Sequence, residues 1–217
     1  MESTKVSRML LNRLPLYLNH LKALPGEDCN ISATAIANAL GLGHVQVRKD
    51  LAKVSHEGRR RTGRSRDQLI RDIENYLDCT STTTTVIVGA GLMGRALLDY
   101  SGFENSGLNV MACFDPEVIS NQTDIGKPVY PMSCLASFCK SYDVRIGIIA
   151  VPAENAQTVC NELVECGVQA IWNFAPVNLR VPENVVLQNE SLAASISTLR
   201  MQLRDRDSVR CLSLPPA

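Results

Sequence analysis

No stretch of this 217-residue chain is apolar for long enough to cross a bilayer as a helix, which takes about twenty predominantly apolar residues. Nothing from Met1 to Lys5 or in the polar, periodic segment after them reads as a signal peptide. The expectation is a cytoplasmic protein that makes no membrane contact. None of the eight cysteines forms a C-x-x-C pair, and no histidine stands at zinc-finger spacing from two of them, so no metal site is expected. In a reducing compartment these thiols serve as small apolar core residues. Histidine is scarce: His20, His44 and His56 all fall in the first third, so the rest of the chain lacks the commonest general acid–base group.

Net charge is absent overall, with 22 Lys and Arg against 22 Asp and Glu, but it is unevenly placed. Residues 1–78 carry 13 basic and 9 acidic side chains, and residues 44–66 alone carry eight basic and two acidic ones. A basic patch on one module points to a polyanionic partner.

Residues 5–23 place Val6, Met9, Leu10, Leu14, Tyr17, Leu18 and Leu21 at helical spacing. Pro15 lies within this stretch and either starts a helix or kinks one. A second helix is expected over Ala33–Leu40 with Ser32 as N-cap, then a Gly41-Leu42-Gly43 turn and a third helix over His44–Val54. Two short helices joined by a Gly-containing turn make a helix-turn-helix. The third helix faces Val47, Leu51 and Val54 inward and leaves His44, Gln46, Arg48, Lys49 and Lys53 outward. Gln and Arg suit base edges, and Lys and Arg suit phosphates. Residues 55–66, SHEGRRRTGRSR, contain no apolar side chain and read as a charged hairpin, the wing of a winged helix, with Arg59, Arg60, Arg61 and Arg64 toward DNA. A helix over Asp67–Leu77 follows, and the polar run Cys79–Thr84 reads as a linker between domains.

Beyond it, the short strand Val86–Val88 leads into Gly89-Ala90-Gly91-Leu92-Met93-Gly94 and then a helix over Arg95–Tyr100. A G-x-G-x-x-G between strand and helix is a dinucleotide-binding fingerprint: tight turn, close approach of pyrophosphate, close helix–strand packing. Asp115 ends the next strand, about twenty residues on, where ribose hydroxyls are bound in this fold. No arginine follows it, which favours NAD(H) over NADP(H). Helices near Met132–Lys140 and Glu154–Cys166 alternate with strands at Val144–Val151, Ala170–Trp172 and Val185–Leu187, implying a mostly parallel sheet. Val151, Pro152, Asn173, Phe174 and Pro176 stand after strand ends and are expected to line the cofactor site. Leu192, Ile196, Leu199 and Leu203 form one last helical stripe, and a charged, Pro-rich tail beyond it reads as disordered.

The segments RLPLYL, ISATAIANALG, QVRKDL, VGAGLMGRALLDYSGF, FDPEVI, IGKPVYPM, IIAVPAENAQ, WNFAPVNLRVP and QNESLA occur here in that order. In this combination the chain resembles the Rex family of redox-sensing bacterial repressors over roughly residues 4–203. The resemblance implies a homodimer that binds palindromic operator DNA and responds to the NADH/NAD+ balance. It also implies that the last helix is exchanged between subunits. Two departures stand out. The family's wing, F-G-x-x-G-x-R-G-x-G-Y, is replaced here by Val54–Arg64 with fewer glycines and more arginines. An Arg in the first helix and an Asp before the last, which pair in some members, correspond here to Asn19 and Ser191, while Tyr100 is kept.

The expected architecture is therefore α/β: a winged helix-turn-helix over 1–79, a Rossmann-type parallel-sheet domain over 80–190, a swapped dimerisation helix over 191–204 and a tail over 205–217. The function expected is repression of transcription, with NADH lowering operator affinity. The chain is not expected to be an enzyme, because no histidine and no substrate domain accompany the nucleotide motif, and no catalytic residue is assigned. The alternative is an NAD(H)- or CoA-binding Rossmann protein, for example an enzyme subunit, with no DNA-linked switch.

Overall fold

The computed structural model describes residues 7–26, 29–55, 63–79, 81–118, 121–123 and 125–212. The chain divides into two compact units, Met1–Thr82 and Thr83–Ala217.

In the first unit, α1 (Arg8–Ala23) buries Leu10, Leu14, Tyr17, Leu18 and Leu21 along one face. Pro15 lies inside α1. It removes one N–H from the helix ladder, and the buried stripe on both sides of it keeps the helix continuous. β1 (Asn30–Ile31) precedes α2 (Ala33–Leu40), whose N-cap Ser32 accepts the Ala35 N–H at 3.0 Å. After the turn comes α3 (His44–Val54), then β2 (Arg64–Ser65), which pairs antiparallel with β1. α4 (Arg66–Tyr76) is capped by Ser65, whose Oγ accepts the Gln68 N–H at 3.2 Å. Ile36, Ala37, Val47, Leu51, Leu69 and Ile73 complete a core with the α1 stripe. The arginines Arg59, Arg60 and Arg61 lie outside the described residues.

The second unit runs β3 (Thr83–Val88), α5 (Leu92–Leu98), β4 (Leu108–Asp115), β5 (Val129–Pro131), α6 (Leu135–Tyr142), β6 (Ile146–Ile149), α7 (Ala153–Glu165), β7 (Ala170–Asn173), β8 (Val186–Asn189) and α8 (Leu192–Leu212). Its strands form one sheet in the order β5-β4-β3-β6-β7-β8, with every pairing parallel. This is the doubly wound order of a dinucleotide-binding sheet, whose direction of winding reverses between β3 and β6. The side-chain period of two, shifted once where the β3–β4 register slips between Thr85 and Val86, sorts the strand residues between two cores. Val86, Val88, Ala112, Phe114 and Ile149 pack with α6 and α7 residues. Ile87, Val110, Cys113 and Ile148 pack with Leu98 and Phe103 on the other face. Cys113, Cys139 and Cys160 are buried among these apolar groups, and burial pushes the Cys113 and Cys139 thiols up to about 12.

Three elements depart from the sequence-based expectation. Thr83 and Thr84 belong to β3, paired with Leu108 and Asn109, rather than to a linker. Threonine is polar but β-branched, and its shape suits a strand. α5 starts at Leu92 rather than Arg95, so the last three residues of the glycine motif are helical. α8 continues to Leu212, past the expected end near residue 204. Its sequence contains neither glycine nor proline, so its charged residues extend an exposed helix instead of ending it.

Candidate functional site

The glycine motif sits at the reversal point of the sheet. Gly89 follows β3 with φ at 108°, and its N–H donates to Phe114 O at 2.8 Å. A Cβ at Gly89 would meet the Ala150 carbonyl of the neighbouring strand end, and one at Gly94 would overlap the Gly89 carbonyl. Both positions therefore demand glycine for packing. Gly91 has nothing within 4 Å of where its Cβ would stand, which leaves its backbone open to a ligand. Asp115, at the end of β4, ties the loop down: its Oδ2 accepts the Ala90 N–H at 2.6 Å and its Oδ1 accepts the Glu117 N–H at 2.8 Å. Arg95 braces the same loop by donating from Nε to Ala90 O at 2.8 Å.

These groups open onto a cavity of about 640 Å³ lined by Gly89, Gly91, Asp115, Val151 and Pro152 among others. That volume suits a cofactor-sized ligand. Sequence reasoning missed the opposite wall, formed by Asn155, Thr158, Val159 and Glu162 of α7. Their spacing is the signal: three, four and seven residues on from the first is one helix face, starting just after Val151-Pro152. Met132, Pro116 and Glu117 also line the cavity. The cavity wall thus combines open glycine backbone, an apolar slot and a carboxylate beside the glycine loop, and this donor and acceptor set fits an adenine dinucleotide.

Other expected residues are placed differently. Ala90, Leu92, Met93 and Gly94 belong to the loop and the start of α5 but do not line the cavity; Leu92 is 94% exposed. Asn173 is fully buried and spends its side chain on its own loop. Its Nδ2 donates to Val177 O at 2.8 Å and to Asn189 Oδ1 at 2.9 Å, while its Oδ1 accepts the Ala175 N–H at 2.9 Å. Its amide thereby organises the loop that follows β7, as a buried amide with all its polar atoms satisfied locally. The Phe174 ring lies 4.9 Å from that of Trp172, tilted by 48°, and Pro176 is exposed; neither lines the cavity.

In the first unit, α3 exposes His44, Val45, Gln46, Arg48, Lys49, Ala52 and Lys53 as one continuous surface. Val45, 55% exposed, is an addition to the residues expected from sequence; an apolar group there suits a thymine methyl. Arg64 is half-buried on β2, opposite Ile31. Behind the α3 surface lies a charged network that the sequence did not reveal. Asp50, on the inner face of α3, is 1% exposed. It accepts from Arg13 Nε at 2.7 Å, from Arg13 Nη2 at 3.0 Å, from Tyr17 Oη at 2.8 Å and from Gln46 Nε2 at 2.8 Å. Burial alone would raise the Asp50 carboxyl, but the hydrogen bonds from Arg13, Tyr17 and Gln46 prevail and hold it below its ordinary value. Burial and the Asp50 contact push the Tyr17 phenol up to about 12, so it stays a neutral donor.

Comparison with known proteins covers both units. Residues 5–52 match the family described as a putative DNA-binding protein N-terminus, and residues 80–177 match the CoA binding domain. A redox-sensing transcriptional repressor Rex from Porphyromonas gingivalis is 38% identical over 199 residues, covering 90% of this chain and 91% of its own length. Among solved structures, that of RSP with β-NAD+ and operator DNA aligns at a TM-score of 0.85 and 31% identity, covering 99% of this chain and all of that one. RSP with β-NADH aligns at a TM-score of 0.83 and 29% identity, over 97% of this chain and all of that one.

Proposed function

The chain belongs to the Rex family of redox-sensing transcriptional repressors, and from that premise we propose that it binds operator DNA through α3 and the Arg59–Arg64 segment and releases it when NADH occupies the cavity at the β3–β6 reversal. The observation that carries this reading is the union, in one chain, of a solvent-facing basic recognition helix and a glycine-loop cavity closed by Asp115. His44, Arg48, Lys49 and Lys53 meet phosphates or bases, Arg59, Arg60, Arg61 and Arg64 add phosphate or minor-groove contacts, and Gln46 meets a base edge. Gly89, Gly91, Asp115, Val151 and Pro152 hold the dinucleotide, with Asp115 on the adenosine ribose. The nicotinamide supplies the redox state that is read; the protein transfers no hydride in this reading and acts as a regulator rather than an enzyme.

A ligand shifts DNA affinity only by its differential affinity for two states of the protein. Leu192, Ile196, Leu199 and Leu203, all more than half exposed on α8, form an apolar stripe that a second copy of the chain covers in a homodimer. A two-fold dimer matches palindromic DNA. The test is operator affinity measured without ligand and with saturating NADH, NAD+ or CoA. Weakening by NADH and not by CoA supports the reading. Binding that ignores NADH refutes the sensor, and tight CoA binding favours the enzyme-subunit alternative.

A further inference from the structure

The Asp50 network has a consequence for the DNA sequence that is read, which rests on Gln46 being a base reader. Gln46 stands at the edge of the exposed face of α3, one helical turn before Asp50, and its Nε2 donates to Asp50 Oδ1 at 2.8 Å. A glutamine amide free to rotate has two faces. With its nitrogen outward it can donate to guanine or thymine; with donor and acceptor side by side it pairs with adenine. Asp50 claims one of the two N–H groups and so leaves the other beside Oε1. Its carboxylate is acceptor-only and is pinned by Arg13 at two points and by Tyr17 at a third, so it stays in place and must be met by the amide nitrogen. Turning the amide round would put Oε1 against a buried carboxylate.

We propose that Asp50 is a positioning residue for operator recognition, orienting Gln46 so that it reads an adenine in each half-site. In the held orientation Gln46 offers Oε1 and one remaining N–H. Adenine alone satisfies both in the major groove, with its N6 amino group donating and its N7 accepting. Cytosine N4 satisfies only Oε1, guanine sets a second acceptor against Oε1, and thymine, whose O4 stands beside a methyl group, satisfies only the N–H. A phosphate takes only that N–H and leaves Oε1 without a donor, so the held amide favours adenine over the backbone.

Selection of bound DNA from a randomised pool, using the full-length protein, tests this. The wild type should select adenine at one position per half-site. Gln46→Ala should lose that preference and keep the others. Asp50→Asn, whose amide can both donate and accept, should admit guanine or thymine at that same position. A purely structural role for Asp50 would weaken all positions together and would not broaden one. Base analogues in the selected operator provide a test that needs no variant. Replacing the adenine by purine, which lacks N6, or by 7-deazaadenine should weaken wild-type binding roughly 5- to 150-fold, with no effect of either analogue in the Gln46→Ala protein. Wild-type insensitivity to both analogues, or an unchanged adenine preference in a folded Asp50→Asn protein, overturns the proposal. Failure to select any sequence overturns the DNA-binding reading itself, and a Gln46→Ala profile identical to wild type overturns Gln46 as a base reader.

Discussion

Arg13 of α1 grips Asp50 of α3 at two points, 2.7 and 3.0 Å, and this pair fastens α3 to α1 beside the apolar core of the first unit. Removing one member of a buried pair leaves the other charged and unpaired. Asp50→Ala should therefore cost about 3–5 kcal/mol of stability in the first unit. Chemical denaturation followed by circular dichroism checks this, and a loss below about 1 kcal/mol would show the pair to be replaceable.

The same carboxylate sets a pH dependence. Its folded value lies below the unfolded one, so its contribution is fully present above the unfolded value of about 3.9 and is lost as pH falls through the folded value. The melting temperature of the first unit should fall on acidification below about pH 4, and Asp50→Asn should flatten that slope. Parallel slopes for the two proteins would locate the acid sensitivity elsewhere.

Asp115 holds the glycine loop and is the residue proposed to meet the ribose. Asp115→Ala removes charge-assisted hydrogen bonds each worth about 1.5–3 kcal/mol, so NADH binding should weaken roughly 10- to 100-fold. The preference for NADH over NADPH should narrow as well, because the like-charge repulsion of a 2′-phosphate is gone. Calorimetry with both nucleotides checks this; equal or tighter NADPH binding by the unaltered protein would contradict it.

Deleting residues 192–217 removes the exposed stripe of α8. The homodimer should become a monomer or aggregate, as light scattering would register. A dimer that survives the deletion places the interface on another surface.

Arg59, Arg60 and Arg61 should bind phosphates. Replacing all three with alanine should weaken binding to every DNA sequence alike. It should also reduce the slope of log affinity against log salt by about 0.9 for each phosphate no longer neutralised. An unchanged slope would mean that these arginines stay in solvent.

Much of this architecture was legible in the chain itself. The apolar spacing of Val47 and Leu51 oriented α3, Ser32 marked the start of α2, and the glycines after Val88 marked the turn from strand to helix. Each is a local signal, carried by a short window of sequence. Elements with weak local signals were missed. β5 is three residues long and exists because β4 offers it a partner; α8 runs on because nothing breaks it, although its composition resembles that of a disordered tail.

Local pattern thus determined the order of the longer elements, the glycine loop with its acidic partner, and the basic face of α3. Only the tertiary structure decided what the polar side chains do. Asp50 and Asn173 both look like surface or ligand-facing residues in a linear reading, yet both are buried. One is claimed by Arg13 and Tyr17, more than thirty residues away in sequence, and the other by its own loop and Asn189. The physical reason is that a buried polar atom must find its partner wherever the fold brings one within about 3 Å, and that distance is set by packing between segments rather than by spacing within one.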